Sequence, residues 1–145
     1  MNKLLLLTSL TLLSCLSSCR KTGCTDEDSI HFTKDVKSDN TQCRYEGSLV
    51  FWFNKDISEY LIFYDVYNLH FYLNSELIGS LTTEQYRDSD PDCNDFINAV
   101  RTDQNLGDAK TLEYQFSVKS SDSIEIWKTS LNINANTCST LQLGL

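Results

Sequence analysis

Basic residues are scarce in this chain: 12 Lys and Arg stand against 20 Asp and Glu, a formal charge of -8, and no Lys/Arg cluster occurs beyond Arg20-Lys21. Neutralising a phosphate backbone requires such a cluster, so nucleic-acid binding is excluded as a function class. Histidine is scarcer still, with His31 and His70 alone, and there is no Cys-x-x-Cys pair, which removes the usual zinc ligand sets. No Gly-x-Ser-x-Gly elbow marks a hydrolase nucleophile, and the carboxylates gather in turns without singling out an acid and a base. Catalysis is therefore not expected. Long apolar runs are missing too: the stretch from Leu4 to Leu16 is short of the roughly 20 residues that span a bilayer.

That stretch is informative for another reason. Met1-Asn2-Lys3 followed by a run of Leu, Ser and Thr has the layout of a secretory signal. The run ends in Leu16-Ser17-Ser18-Cys19, which resembles the lipobox of bacterial lipoproteins, where the bond before a cysteine is cut and the thiol is diacylglycerylated. A second match, Leu12-Leu13-Ser14-Cys15, lies four residues earlier. Parity separates them, since cutting before Cys19 leaves Cys24, Cys43, Cys93 and Cys138 as an even set, whereas cutting before Cys15 strands a fifth thiol in an oxidising compartment. The reading is thus a signal peptide over 1–18, a lipidated N-terminus with a cysteine-bounded module over 19–46, and a β-sandwich domain over 47–145. Each buried methylene of an acyl chain contributes about 0.8 kcal/mol, so several chains anchor the protein lastingly. The expected address is the cell envelope, at the outer membrane, on its periplasmic or surface face.

Four thiols in an exported domain predict two disulfides, for which three connectivities exist. Spacing favours Cys24 with Cys43, closing the polar segment before the first long strand. It likewise favours Cys93 with Cys138, tying a long loop to the last strand.

From Gly47 onward the pattern is that of strands and turns. Leu112, Tyr114, Phe116 and Val118 alternate with polar residues, as a half-buried strand does, and Ser120-Ser121-Asp122-Ser123 turns the chain into a second strand carrying Trp127, Thr129, Leu131 and Ile133 on one face. Leu49-Val50-Phe51-Trp52-Phe53 is apolar on both faces, which predicts a central strand. Leu69–Leu73 and Leu77–Leu81 flank Asn74-Ser75-Glu76 as a hairpin, and a last strand falls near Thr140–Leu143. The aromatic and β-branched content of Tyr60–Tyr67 favours another strand over a helical turn. Thr82–Asp108, which holds the single proline, Pro91, reads as a long connection with at most one short element near Asp95–Val100. Together these predict an all-β fold: an antiparallel, immunoglobulin-like β-sandwich with a short disulfide-closed N-terminal module.

Gly23-Cys24-Thr25-Asp26, through Ser29, Phe32 and Asp39-Asn40 to Cys43-Arg44-Tyr45, resembles a short cysteine-bounded module repeated in bacterial surface proteins. Glu27 stands where that family commonly has proline, His31-Phe32 where it has an Asn-aromatic pair, and Asp39-Asn40-Thr41-Gln42 where it has Asp-Asp-Gly-Ser. The remainder is similar to the β domain of small uncharacterised lipoproteins that carry this module just after the lipid cysteine. The similarity runs through Val50-Phe51-Trp52, Tyr60-Leu61, the Leu73–Gly79 hairpin, Pro91-Asp92-Cys93, Leu106-Gly107, Trp127 and Asn134–Cys138. The resemblance implies the architecture and carries no assigned activity.

Two binding chemistries have candidate residues. Asp26, Asp28, Asp35, Asp39 and Asn40 crowd the first disulfide loop, where oxygens on irregular backbone could hold a structural calcium ion, the one candidate cofactor. Trp52, Tyr60, Phe63, Tyr64, Tyr67 and Tyr72 are the aromatics from which either a core or a glycan-stacking surface could be built. The function that follows is non-catalytic: a lipid-anchored structural or interaction module for an envelope protein, with carbohydrate binding through Trp52, Tyr60, Tyr64 and Tyr67 as the alternative.

Overall fold

The computed structural model describes residues 21–144; the expected signal peptide, Cys15 and Cys19, the expected lipid site, lie outside the described residues. An N-terminal module contributes two short parallel strands, β1 (Thr22–Gly23) and β2 (Lys37–Ser38), and a 3-10 turn at Asn40–Gln42. The Cys24–Cys43 disulfide, with Cα atoms 5.0 Å apart, closes it. Buried Ser29 organises its centre: the hydroxyl donates to the Arg44 carbonyl at 2.9 Å and accepts from the backbone N–H groups of His31 and Arg44.

Seven longer strands then form two packed sheets. One has the order β6-β3-β9, built from β3 (Tyr45–Trp52), β6 (Val100–Gly107) and β9 (Cys138–Gln142). The other has the order β5-β4-β7-β8, built from β4 (Asn68–Leu73), β5 (Glu76–Thr82), β7 (Thr111–Ser120) and β8 (Glu125–Asn134). Phe51 of β3 stacks on Phe116 of β7 at a centroid distance of 4.2 Å with the rings 2° from parallel, and Phe71 of β4 tilts against both at 6.3 Å. Leu49, Leu69, Leu73, Leu81, Val118 and Ile133 complete this core. Burying such a side chain fully is worth roughly 1.5 to 3 kcal/mol, so inward alternation of the strands is the main source of stability.

Two glycines let the sheets close on each other. A Cβ on Gly47 would lie 2.4 Å from the Asn134 carbonyl oxygen, and one on Gly79 would lie 2.7 Å from a Val100 methyl. The β4–β5 hairpin turns on Asn74 and Ser75, both at positive φ (47° and 69°), the type I′ geometry that matches strand twist.

The all-β sandwich, both hairpins and the central β3 agree with the sequence pattern; three elements differ. Tyr60–Tyr67 is not a strand: Lys55–Phe63 forms the helix α1. Asn54 caps it by accepting the Ile57 N–H at 3.1 Å, and Ile57, Ser58 and Leu61 form its buried stripe. Asp65 ends it at φ 59°, with Val66 N–H bonded to the Leu61 carbonyl and Asp65 N–H to that of Ile62, a Schellman arrangement. Capping and the 3.6-residue stripe outweigh the intrinsic β preference of the aromatics. Second, part of the expected long connection is the strand β6, whose alternating polar residues pair with β3 from Phe51↔Val100 to Tyr45↔Gly107. Third, the pairing is not wholly antiparallel, because β9 runs parallel to β3 from Ser48↔Cys138 to Trp52↔Gln142.

The loop between β5 and β6 covers the outer face of β3. Ser48, Val50 and Trp52 share that face by alternation, and the side chains of Asp103, Arg101 and Cys138 stand beside them in register. The loop is held there by the Cys93–Cys138 disulfide, by Arg101 donating to the Cys93 carbonyl at 2.6 Å, and by Arg87 N–H bonded to the Phe53 carbonyl. Beneath this cover Val50 and Trp52 are buried, which is why β3 is apolar on both faces.

Candidate functional site

Strand direction sorts the loops into two ends. The module joins the start of β3 at Tyr45, alongside the β6–β7 turn and the β8–β9 connection. The end of β3 leads into α1, which returns the chain to the start of β4, so α1 lies at the other end, about 26 Å away at 3.3 Å per residue of the eight-residue strand.

Helix geometry sets the exposed side of α1. With Ile57, Ser58 and Leu61 turned inward, Asp56, Tyr60 and Tyr64 form one outward row, and Glu59 and Phe63 the next. Phe63 is 79% exposed, Tyr64 59% and Tyr67 54%, with Tyr60 and Ile62 also exposed beside them. The Tyr60 and Tyr64 rings lie 4.8 Å apart at 51°, and Phe63 meets Tyr64 edge-on at 5.1 Å and 86°. Scattered exposed apolar residues need no explanation, whereas here several stand side by side on one short element.

Carboxylates border the rings. Asp56 and Glu59 stand one turn before Tyr60 and Phe63, and Lys55 pairs with Glu59 at 3.6 Å. Asp65 accepts the Tyr67 hydroxyl at 3.2 Å; that bond and the nearby negative charge raise the Tyr67 phenol above its ordinary pKa. The neighbouring Tyr64 hydroxyl does the same to Tyr60. Both phenols are neutral at physiological pH, so the face offers aromatic surface and hydroxyls inside a negative border.

The structure brings the Tyr60 and Tyr64 rings together, leaves Tyr67 exposed with its hydroxyl on Asp65 just past the helix, and corrects the fourth glycan candidate: Trp52 is 4% exposed beneath the β5–β6 loop and cannot present its ring to a ligand. Its indole N–H has no acceptor among the described residues. Tyr72 lies elsewhere, on the outer face of β4 under the Lys119 ammonium at 5.2 Å. Phe63, one of the aromatics noted in the sequence, stands with them, and Ile62, Asp56 and Glu59 join the site only because the segment is helical. The sequence signal that could have revealed them is the Asn54-Lys55-Asp56-Ile57 start, a capping asparagine with an acid in the first turn.

The acidic residues of the module are engaged elsewhere. Lys110 of the β6–β7 turn contacts Asp26 at 2.7 Å and Asp28 at 3.0 Å, and Asp26 also accepts the Tyr45 hydroxyl at 2.9 Å. The Lys110 hydrogen bond is the chief cause holding the Asp26 carboxyl below its ordinary pKa. Asp39 accepts from Thr41 and Gln42, which lowers its pKa too, while Asn40 accepts from the Ser38 hydroxyl and Asp35 is exposed. Among the described residues no three His, Cys, Asp or Glu side chains are grouped to hold a metal ion. The histidines are placed apart as well: His31 Nδ1 meets the Gln42 carbonyl at 3.1 Å, and His70 Nδ1 meets Ser80 Oγ at 2.7 Å, a cross-strand pair on the open face of the four-stranded sheet.

A cleft of about 550 Å³ lies between the module and the outer face of β3, lined in part by Asp28, Ile30, Glu46, Arg101 and Asp103. Its polar groups largely satisfy one another: Asp103 accepts from Arg101 at 2.8 Å and from Ser48 at 2.5 Å, and Arg101 holds the β5–β6 loop. The cleft is therefore foremost a seam between parts of the fold, whereas the aromatic face of α1 stands in solvent. No protein-family model matches the chain, and neither a curated protein nor a solved structure does so.

Proposed function

We propose that this protein is a non-catalytic interaction module of the bacterial cell envelope, tethered to the outer membrane by lipid on Cys19 and engaging a partner through the aromatic face of α1. The observation that carries the reading is the position of that face. Tyr60, Phe63, Tyr64 and Tyr67 are exposed together at the end of the sandwich away from the module that follows the tether. A protein held to a bilayer at one end offers the other end to what lies beyond it. Leu16-Ser17-Ser18-Cys19 supports the tether, and two disulfides among the remaining four cysteines support export.

Carbohydrate stacking draws on the same tyrosines, but it loses Trp52 to the interior. Of its remaining rings Tyr60 and Tyr64 are tilted at 51° to each other, so the two do not form one coplanar platform.

The test is site-specific photo-cross-linking in intact cells, with the reactive residue at position 63 in one strain and at position 108, in the exposed turn at the tethered end, in another. A discrete adduct from position 63 alone, lost when Tyr60→Ser and Tyr64→Ser are added, is the expected result. Adducts of the same species from both positions, or none from 63, would overturn the assignment of the face.

A further inference from the structure

Resting on that reading, we infer that the aromatic face of α1 takes a basic polypeptide segment. Such a segment sets Arg or Lys side chains against Asp56, Glu59 and Asp65 and an aliphatic side chain between the rings of Tyr60, Phe63 and Tyr64. The rings supply apolar area, but three carboxylates border them against a single ammonium, Lys55, and all four side chains are exposed. Any occupant that covers the rings also removes water from those carboxylates. Burying an unpaired charge is unfavourable, so the partner must bring cations to them. The ring geometry suits the same ligand: pairs at 51° and 86° form a faceted notch in which a guanidinium can lie on one ring face while an alkyl group fills the angle between two.

The other occupants fit less well. A second copy docking face to face would set Asp56, Glu59 and Asp65 against themselves, and like charges across an interface repel. An anionic membrane meets the same repulsion. Among the chain's own cations, Arg87 and Arg101 are engaged with the β5–β6 loop and Lys110 with the module. The formal charge of -8 also steers a cationic partner inward, an effect that salt screens.

The experiment uses the full lipidated chain in neutral detergent and the labelled peptide Ac-Leu-Arg-Leu-Arg-Leu-Arg-NH2, read by fluorescence polarisation. The counterpart with Glu in place of Arg and chito-oligosaccharides serve as competing probes. The Arg peptide should bind with an affinity that falls at least about fivefold between 50 and 300 mM salt. Neutralising the border (Asp56→Asn, Glu59→Gln, Asp65→Asn) or removing rings (Phe63→Ser, Tyr64→Ser) should each weaken binding about tenfold with the thermal melt retained. Neutralising an equal number of acids elsewhere (Asp108→Asn, Glu113→Gln, Asp122→Asn) should leave it within about twofold.

Equal losses from the two neutralised sets would show only attraction to net charge and overturn the inference. So would equal binding of the Glu peptide, or displacement of the Arg peptide by the oligosaccharide. Persistence of the position-63 cross-link in cells without Arg-peptide binding would remove this inference and leave the interaction module standing.

Discussion

Lys110 is the residue on which the join between module and sandwich depends. Its ammonium bridges Asp26 and Asp28 and lies 5.7 Å above the Tyr45 ring, so one side chain ties two parts of the chain more than 80 residues apart in sequence. Because these hydrogen bonds hold the Asp26 carboxyl below its ordinary pKa, the unfolded chain takes up that proton at a higher pH than the folded one does. The contribution of the bridge is therefore complete above the ordinary aspartate range and is lost as pH falls through the folded-state value. Thermal melts from pH 5.5 to pH 2 should show a steeper loss of Tm for the wild type than for Lys110→Met, in which Asp26 returns toward its ordinary value. Parallel curves would show that the bridge is not coupled to folding.

At the scale of the element, α1 is short and depends on its ends. Nine residues form too few turns to be stable alone, so the Asn54 cap, the Asp65 turn and the inward stripe of Ile57 and Leu61 must act together. Asn54→Ala leaves the Ile57 N–H without its partner and should cost about 1 kcal/mol. Asn54→Asp, which keeps an acceptor, should cost much less. Urea unfolding midpoints of the two variants check this; equal midpoints would remove the cap from the account. The same element shows where one-dimensional reading stops. Tyr60-Leu61-Ile62-Phe63-Tyr64 has the composition of a strand, and the cap before it, the inward stripe of Ile57 and Leu61, and the left-handed Asp65 after it decide for helix.

For the whole molecule, the second disulfide decides which surface is interior. Cys93–Cys138 spans 45 residues of sequence and pins a polar loop over Val50 and Trp52. Replacing both cysteines by serine should lower stability by up to about 4 kcal/mol in the chain-entropy model. In a Trp127→Phe background it should also shift the remaining Trp52 emission to the red as the loop lifts. Loss of stability without a red shift would mean that the loop stays seated by Arg87 and Arg101 alone.

Much of this architecture was legible in one dimension, because strand burial leaves a period of two. The β4–β5 and β7–β8 hairpins, the doubly apolar β3 and the short final strand all follow from side-chain alternation and turn residues. Cysteine spacing pointed to the two pairs that the fold joins, since chain-local closure and loop-to-end-strand closure were the simplest ways to satisfy four thiols. What tertiary structure alone decided involves contacts with no sequence period. The parallel seat of β9 beside β3, the pairing of the polar β6, and the burial of Trp52 under a loop depend on what each residue meets across space. The same holds for the candidate site. Aromatic content was plain in the sequence, but whether a ring packs inward or stands in solvent depends on which side of its element the core lies, and that is set only when the sheets close.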